Sequence, residues 1–224
     1  MTTSNIQAGS SIIEPVNLNA NLTSIADVRE ILQTGIPRGK SLIYYSQPGV
    51  ESETFGLEIA YHTISRGRNC IFVASNSSPD SIKSKFKECG MNIELFKDKL
   101  LFVDAYSQLT GTSSNEKYIV TAPKNIYVMT KEILRSLKES PPSTVIFGSL
   151  STIMDLCGEK ETIEAISMWN MMAKLCGHVI TYNFAGWHFS YETLNSLKND
   201  LFNSVVYVGG IAEKGVSDQY TADT

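Results

Sequence analysis

Residues 44–62 read YYSQPGVESETFGLEIAYH. This is the outline of a phosphate-binding loop that opens a helix. In the working pattern G-x-x-x-x-G-K-[ST], glycines let backbone N–H groups turn inward around the phosphates. The lysine meets the β and γ oxygens, and the hydroxyl holds magnesium. Here Ser46, Glu51, Ser52 and Glu53 stand where the pattern wants Gly, Gly, Lys and Ser or Thr, while Pro48 and Gly49 keep the turn. Thr54 brings a hydroxyl one place later, where packing or capping is the expectation. A helix start attracts anions, and Glu51 and Glu53 can meet that demand from within the chain, each stabilising by about 0.3–1 kcal/mol. The same two carboxylates repel a triphosphate. Acids of this kind also suit any exposed helix start.

Other residues with chemistry are scattered. Asp104 and Tyr106, in LFVDAYS, fall at a strand's carboxyl end, where ligands of α/β sheets bind; they are candidate ligand or partner contacts, or an ordinary loop start. Trp187 and His188, in FAGWHFSYE, belong to the most distinctive aromatic cluster, which is either a partner-binding loop or a segment folded onto the core. Ser149 and Ser151 lack a G-x-S-x-G elbow. Cys70, Cys89, Cys157 and Cys176 form no CxxC pair and are expected as small buried hydrophobes of a reduced cytoplasm. No metal site is expected. His62, His178 and His188 are each expected to be hydrogen-bonded structural histidines. Arg66/Arg68 suit a helix end, and Lys83/Lys85/Lys87 a solvated face.

The elements that position these residues follow from periodicity. Short apolar runs at 41–45, 70–74, 100–104, 144–147, 178–183 and 205–208 read as strands buried on both faces. Between them, helices are predicted at about 51–65 and 79–89, and within NIYVMTKEILRSLKES, ETIEAISMWNMMAKLCG (stopped by Gly177) and SYETLNSLKNDLF (capped by Ser190). Alternation of this kind predicts a three-layer α/β sandwich with a mostly parallel central sheet. SQLTGTSSNEK reads as a long surface loop. Residues 1–20 and 212–224 read as flexible tails around one folded domain, 21–211.

Composition bounds the rest. The 224 residues, 42% hydrophobic and 19% charged, describe a globular chain, and no apolar run approaches a membrane span. No secretion signal opens the sequence, so a cytoplasmic protein is expected. A net charge of −4 argues against nucleic acid as the main partner.

The surroundings of the loop carry a resemblance that the loop alone does not. SIADVREILQTGIPRGKSLIYYSQPGVESETFGLEIAYH resembles the opening of the RecA/KaiC-like ATPases, in which a G-I-P-x-G turn leads into the first core strand. Residues 48–55 fill the eight places of that family's P-G-T-G-K-T-T-F without a gap. In VASNSSPDSI, the Ser78-Pro79-Asp80 match is kept, but Asn76 and Ser77 replace the family's two glutamates. TVIFGSLSTIM matches the strand ending in D-S-L-S, with Gly148 at the aspartate. LFVDAYS fits the family's D-x-Y-S. The likeness spans roughly residues 24–210 and implies a RecA-like sheet.

The resemblance implies two functions of different class. The first is a catalytically inactive relative, a pseudo-ATPase with a structural or regulatory role, whose partner is another copy or an active relative. It needs no cofactor. The second is an unconventional ATP sensor or ATPase, using ATP and magnesium through the backbone around Gly49, with a cation from Arg38, Lys40 or a neighbouring subunit. A recombinase-like DNA-repair or RNA-modification accessory is a third option, resting on analogy alone.

Overall fold

The computed structural model describes residues 38–46, 53–186 and 188–208, with Glu53 and Val208 by backbone alone. Both expected tails lie outside the described residues, as do Pro48, Gly49, Glu51, Ser52 and Trp187. Among the described residues, seven strands form one sheet: β1 (Ser41–Ser46), β2 (Asn69–Ala74), β3 (Leu100–Asp104), β4 (Tyr118–Ile119), β5 (Ser143–Phe147), β6 (Val179–Ala185) and β7 (Ser204–Val208). Their order is β4-β3-β2-β5-β6-β1-β7, and every described pairing is parallel. Parallel neighbours need crossovers, which six helices among the described residues supply except between β3 and β4, where a loop with one 3-10 turn makes the connection. The helices are α1 (Glu53–Ser65), α2 (Pro79–Glu88), α3 (Ile126–Glu139), α4 (Leu150–Cys157), α5 (Glu159–Cys176) and α6 (Tyr191–Asn199).

The strands are apolar on both sides because both sides are covered. Leu42, Tyr44, Phe72 and Ile146 face α1 and α2, packing with Leu57, Ala60, Ile64, Ile82 and Phe86. Ile43, Val73, Val145, Phe147 and Tyr182 face the opposite layer of α3, α4, α5 and α6. At its centre Phe147 stacks between Trp169 and Tyr182, with ring centroids 4.9 and 4.5 Å away.

Local chemistry sets the helix ends. Ser78, Asn125, Ser149 and Ser190 cap α2, α3, α4 and α6 by accepting hydrogen bonds from backbone N–H groups of the first turn. Pro79 follows as the first residue of α2, where its missing N–H costs nothing. Helix α5 stops at Gly177, whose φ of 72° suits glycine. There the N–H of His178 donates to Ala173 O at 2.8 Å and that of Gly177 to Lys174 O at 3.3 Å, a Schellman closure.

The structure adds two elements to the sequence reading. Tyr118–Ile119 forms the edge strand β4 directly after the predicted long loop, and LSTIMDLC forms α4 ahead of α5. Of the cysteines, Cys70 is buried, but Cys89 at the end of α2 is exposed and the other two are half-buried. Among the described residues, no helix is long and apolar enough to cross a membrane.

Candidate functional site

The helices leaving β1 and β2 cover one face, and those leaving β5 and β6 cover the other. The chain thus parts to opposite sides twice, between β2 and β5 and between β6 and β1. Such switch points at the carboxyl ends of parallel strands are where ligands of these folds bind.

Ser46 ends β1 at the second switch point. It is buried, and its hydroxyl donates to Phe184 O at 3.1 Å. The carbonyl of Ser46 accepts from Gly186 N at 3.3 Å, so this end of β1 is tied to β6. Glu53 is the first residue of α1, and half-buried Thr54 the second. One residue on, Gly56 lets α1 approach the sheet. A Cβ there would stand 2.6 Å from Asn183 Nδ2 and 3.4 Å from Ile146 Cγ2.

At the first switch point, the loops after β2 and β5 are joined directly. Ser75 Oγ donates to Ser149 O at 2.8 Å and accepts from Ser149 N at 3.2 Å. Asn76 and Ser77 follow, both half-buried. Gly148 is buried, with its N–H on Val73 O at 2.9 Å and its carbonyl accepting from Asn183 Nδ2 at 3.3 Å. A Cβ on Gly148 would lie 3.0 Å from the Phe72 ring, 3.1 Å from Val73 O and 3.4 Å from Asn76 Oδ1. A side chain fits at that position only if these neighbours give by a few tenths of an ångström. Beneath the start of α1, the buried Asn183 Oδ1 and Tyr44 Oη find no hydrogen-bond partner among the described residues.

Asp104 is the carboxylate at a strand end here, and it serves its own loop. Its Oδ1 accepts from the N–H groups of Tyr106 and Ser107 at 3.0 and 2.9 Å, and its Oδ2 from Ser107 Oγ at 2.6 Å. Burial works to raise its pKa, but these donors together with Ser114 outweigh it, and the carboxyl is held below its ordinary value. Tyr106 is half-buried beside it.

The aromatic loop divides. Phe189 packs onto Phe184, with centroids 5.2 Å apart, while Tyr191 is exposed. His188 is exposed too, its Nε2 2.8 Å from Asp155 Oδ1 on α4. Next to it, Ser190 Oγ donates to Glu159 Oε2 at 2.7 Å. His178 lies far from this end. Its Nδ1 accepts from Ser143 N at 3.0 Å and its Nε2 meets Leu137 O at 2.8 Å, a structural role. His62 is half-buried on α1. Arg38 and Lys40 stand at the amino end of β1, in a cleft of about 280 Å³ shared with Lys174, Gly177 and Asn203. A six-residue strand, about 20 Å long, runs from them to its carboxyl end at Ser46.

Sequence reading located Ser46, Asn76, Ser77 and Gly148, and the structure gathers them at the two switch points. It missed the Ser75–Ser149 link and Asn183. The polar alternation of Thr181 and Asn183 within the buried run VITYNFA was the available signal. Among the described residues, no three acidic, histidine or cysteine side chains converge to hold a metal ion.

Comparison with known proteins agrees with this architecture. Relatives include UPF0273 proteins of Pyrobaculum aerophilum (26% identical, covering 55% of this chain and 45% of the relative), Thermotoga maritima (25%; 58% and 55%) and Methanopyrus kandleri (22%; 69% and 62%). The chain spans about half the length of the first two. The sequence model of the family described as "ATPase: KaiC" matches residues 22–181, more than half of the chain. The chain belongs to the KaiC ATPase family.

Proposed function

We propose that this chain is a catalytically inactive KaiC-like protein, a pseudo-ATPase that acts as a structural or regulatory subunit of a protein assembly. The observation that carries this reading is Gly148. Where related ATPases place a magnesium-side aspartate, this chain has a glycine, which supplies no carboxylate, and a side chain there would require Phe72 and Val73 to give by a few tenths of an ångström. Asn76 and Ser77, at the neighbouring strand end, supply no carboxylate, and both oxygens of Asp104 are committed to its loop. These residues do not fit a magnesium–triphosphate.

The phosphate side supports the same reading. In the sequence Ser52 stands where the family has its lysine, and Glu51 and Glu53 on either side of it are acidic. Arg38 and Lys40 cannot compensate across a whole strand. The retained scaffold then serves assembly with a second copy or an active relative.

Calorimetric titration with ATP and magnesium, followed by phosphate-release assay, tests the proposal. No saturable heat and no turnover are expected. Micromolar binding with turnover that a Gly49→Ala change abolishes would overturn it. Light scattering on the same sample separates self-assembly from assembly with a different chain.

A further inference from the structure

The cleft at the amino end of β1 gathers positive charge. Arg38, Lys40 and Lys174 line it together with Gly39, Gly177 and Asn203, and no acidic side chain does. Among the described residues, none of the three cations is paired with an acid. Lys174 has an ordinary reason to be there, since it lies in the last turn of α5, where the helix dipole favours a cation. Arg38 and Lys40 precede a strand and have no such reason. In a chain of net charge −4, three like charges around one cleft repel one another, and an anion between them relieves that repulsion.

Backbone bonds fix the frame that holds these charges. Gly39 makes the turn with a φ of 74°, which suits glycine. Its N–H donates to His178 O at 2.9 Å, and Ile180 N donates to Lys40 O at 3.1 Å, so the turn is tied to the start of β6. A Cβ on Gly39 would stand 3.5 Å from Lys174 Cγ, which sets the end of α5 against the turn. Asn203 completes the lining. Its N–H donates to Ser41 O at 3.0 Å, and its Oδ1 accepts from Ser41 N at 2.9 Å. That second bond fixes the orientation of the amide and leaves Nδ2 as a donor for the cleft.

We propose that this cleft binds the phosphate group of a small anion. The side-chain groups left free in its lining are all donors: one guanidinium, two ammoniums and one amide. A phosphate monoester, with a charge of about −1.5 to −2 at pH 7, balances three cations better than a carboxylate does. Arg38 suits it further, because a guanidinium can pair two phosphate oxygens at once. The size indicates a small ligand, since 280 Å³ lies just below the range of about 300–1,000 Å³ typical of drug-sized molecules. The site stands a strand's length from Ser46 and does not depend on whether ATPase chemistry has been lost.

Phosphorus NMR titration of the full chain with inorganic phosphate and with a sugar phosphate, at constant ionic strength, tests the proposal. Saturable line broadening is expected, and Lys40→Met and Lys174→Met should each weaken it about tenfold, the worth of one charge-assisted hydrogen bond. Asn203→Asp keeps the acceptor for Ser41 N while placing negative charge in the cleft, and should abolish binding. Lys138→Met, an equal loss of charge at the end of α3, should leave binding unchanged. Tighter binding of the sugar phosphate would assign the site to an esterified ligand, and the reverse to the free ion; both support the proposal. No saturation, or an equal loss in the Lys138 variant, would overturn it. So would an oligonucleotide that binds where both small probes fail. Heat from ATP that survives in Asn203→Asp arises elsewhere, so this proposal and the loss of ATPase chemistry fail separately.

Discussion

Gly148 and Val73 are in direct backbone contact: the glycine N–H donates to the valine carbonyl at 2.9 Å, and that oxygen would sit 3.1 Å from any Cβ placed on the glycine. Of the two other near atoms, one is Asn76 Oδ1 and the nearer belongs to Phe72, itself fixed in the core. Gly148→Asp is therefore expected to destabilise by about 1–3 kcal/mol, the usual cost of overpacking, without creating ATP hydrolysis. Urea unfolding gives the first quantity and phosphate release the second.

Gly56→Ala sets two effects against each other. Alanine favours a helix over glycine by up to about 1 kcal/mol. The new methyl would meet Asn183 Nδ2 at 2.6 Å, however, and Asn183 is buried and bonded to Gly148 O. Overpacking of about 1–3 kcal/mol wins, so the variant should melt below the wild type. A raised melting temperature would contradict the close approach of α1.

If charge at the loop keeps triphosphate out, charge reversal should admit it. Glu51→Gly with Ser52→Lys is expected to strengthen ATP binding at least about tenfold, equivalent to about 1.4 kcal/mol. Calorimetry against the wild type reads the change, and turnover should stay absent.

His178 gives the fold a pH dependence. Burial lowers its pKa, outweighing the opposing effect of its bonds to Leu137 and Ser143. An unfolded histidine titrates near 6.5. As pH falls through that value, the unfolded chain takes up a proton that the native imidazole refuses, so stability falls with pH. The urea midpoint should decline between about pH 7 and 5.5. His178→Gln should flatten that decline, and His62→Gln on the more exposed α1 surface should flatten it less.

The sheet was legible because six of its strands are continuous apolar runs, which only a doubly covered parallel sheet explains. β4 escaped notice because two residues carry no periodicity, and α4 because Gly158 alone parts it from α5. At the site, residue types could be read but spatial constraints could not. The serine pair joins residues 74 apart, and Asn183 reaches Gly148 across 35. No local pattern reports that Gly148 is packed closely against Phe72 and Val73. Asp104 was noticed for its place at a strand end, and its commitment to Ser107 follows from the turn it makes.

The place of β1 between β6 and β7 also decides when the protein can fold during synthesis. Ser46 meets its partner Phe184 only 138 residues later. At about 5–20 residues per second, a ribosome needs on the order of ten seconds to make that stretch. Throughout that interval the greasy segment Leu42–Tyr45 has no neighbour to pair with, which makes the nascent chain a client for chaperones. Protease protection of ribosome-stalled chains should arrive abruptly, once β6 has cleared the exit tunnel.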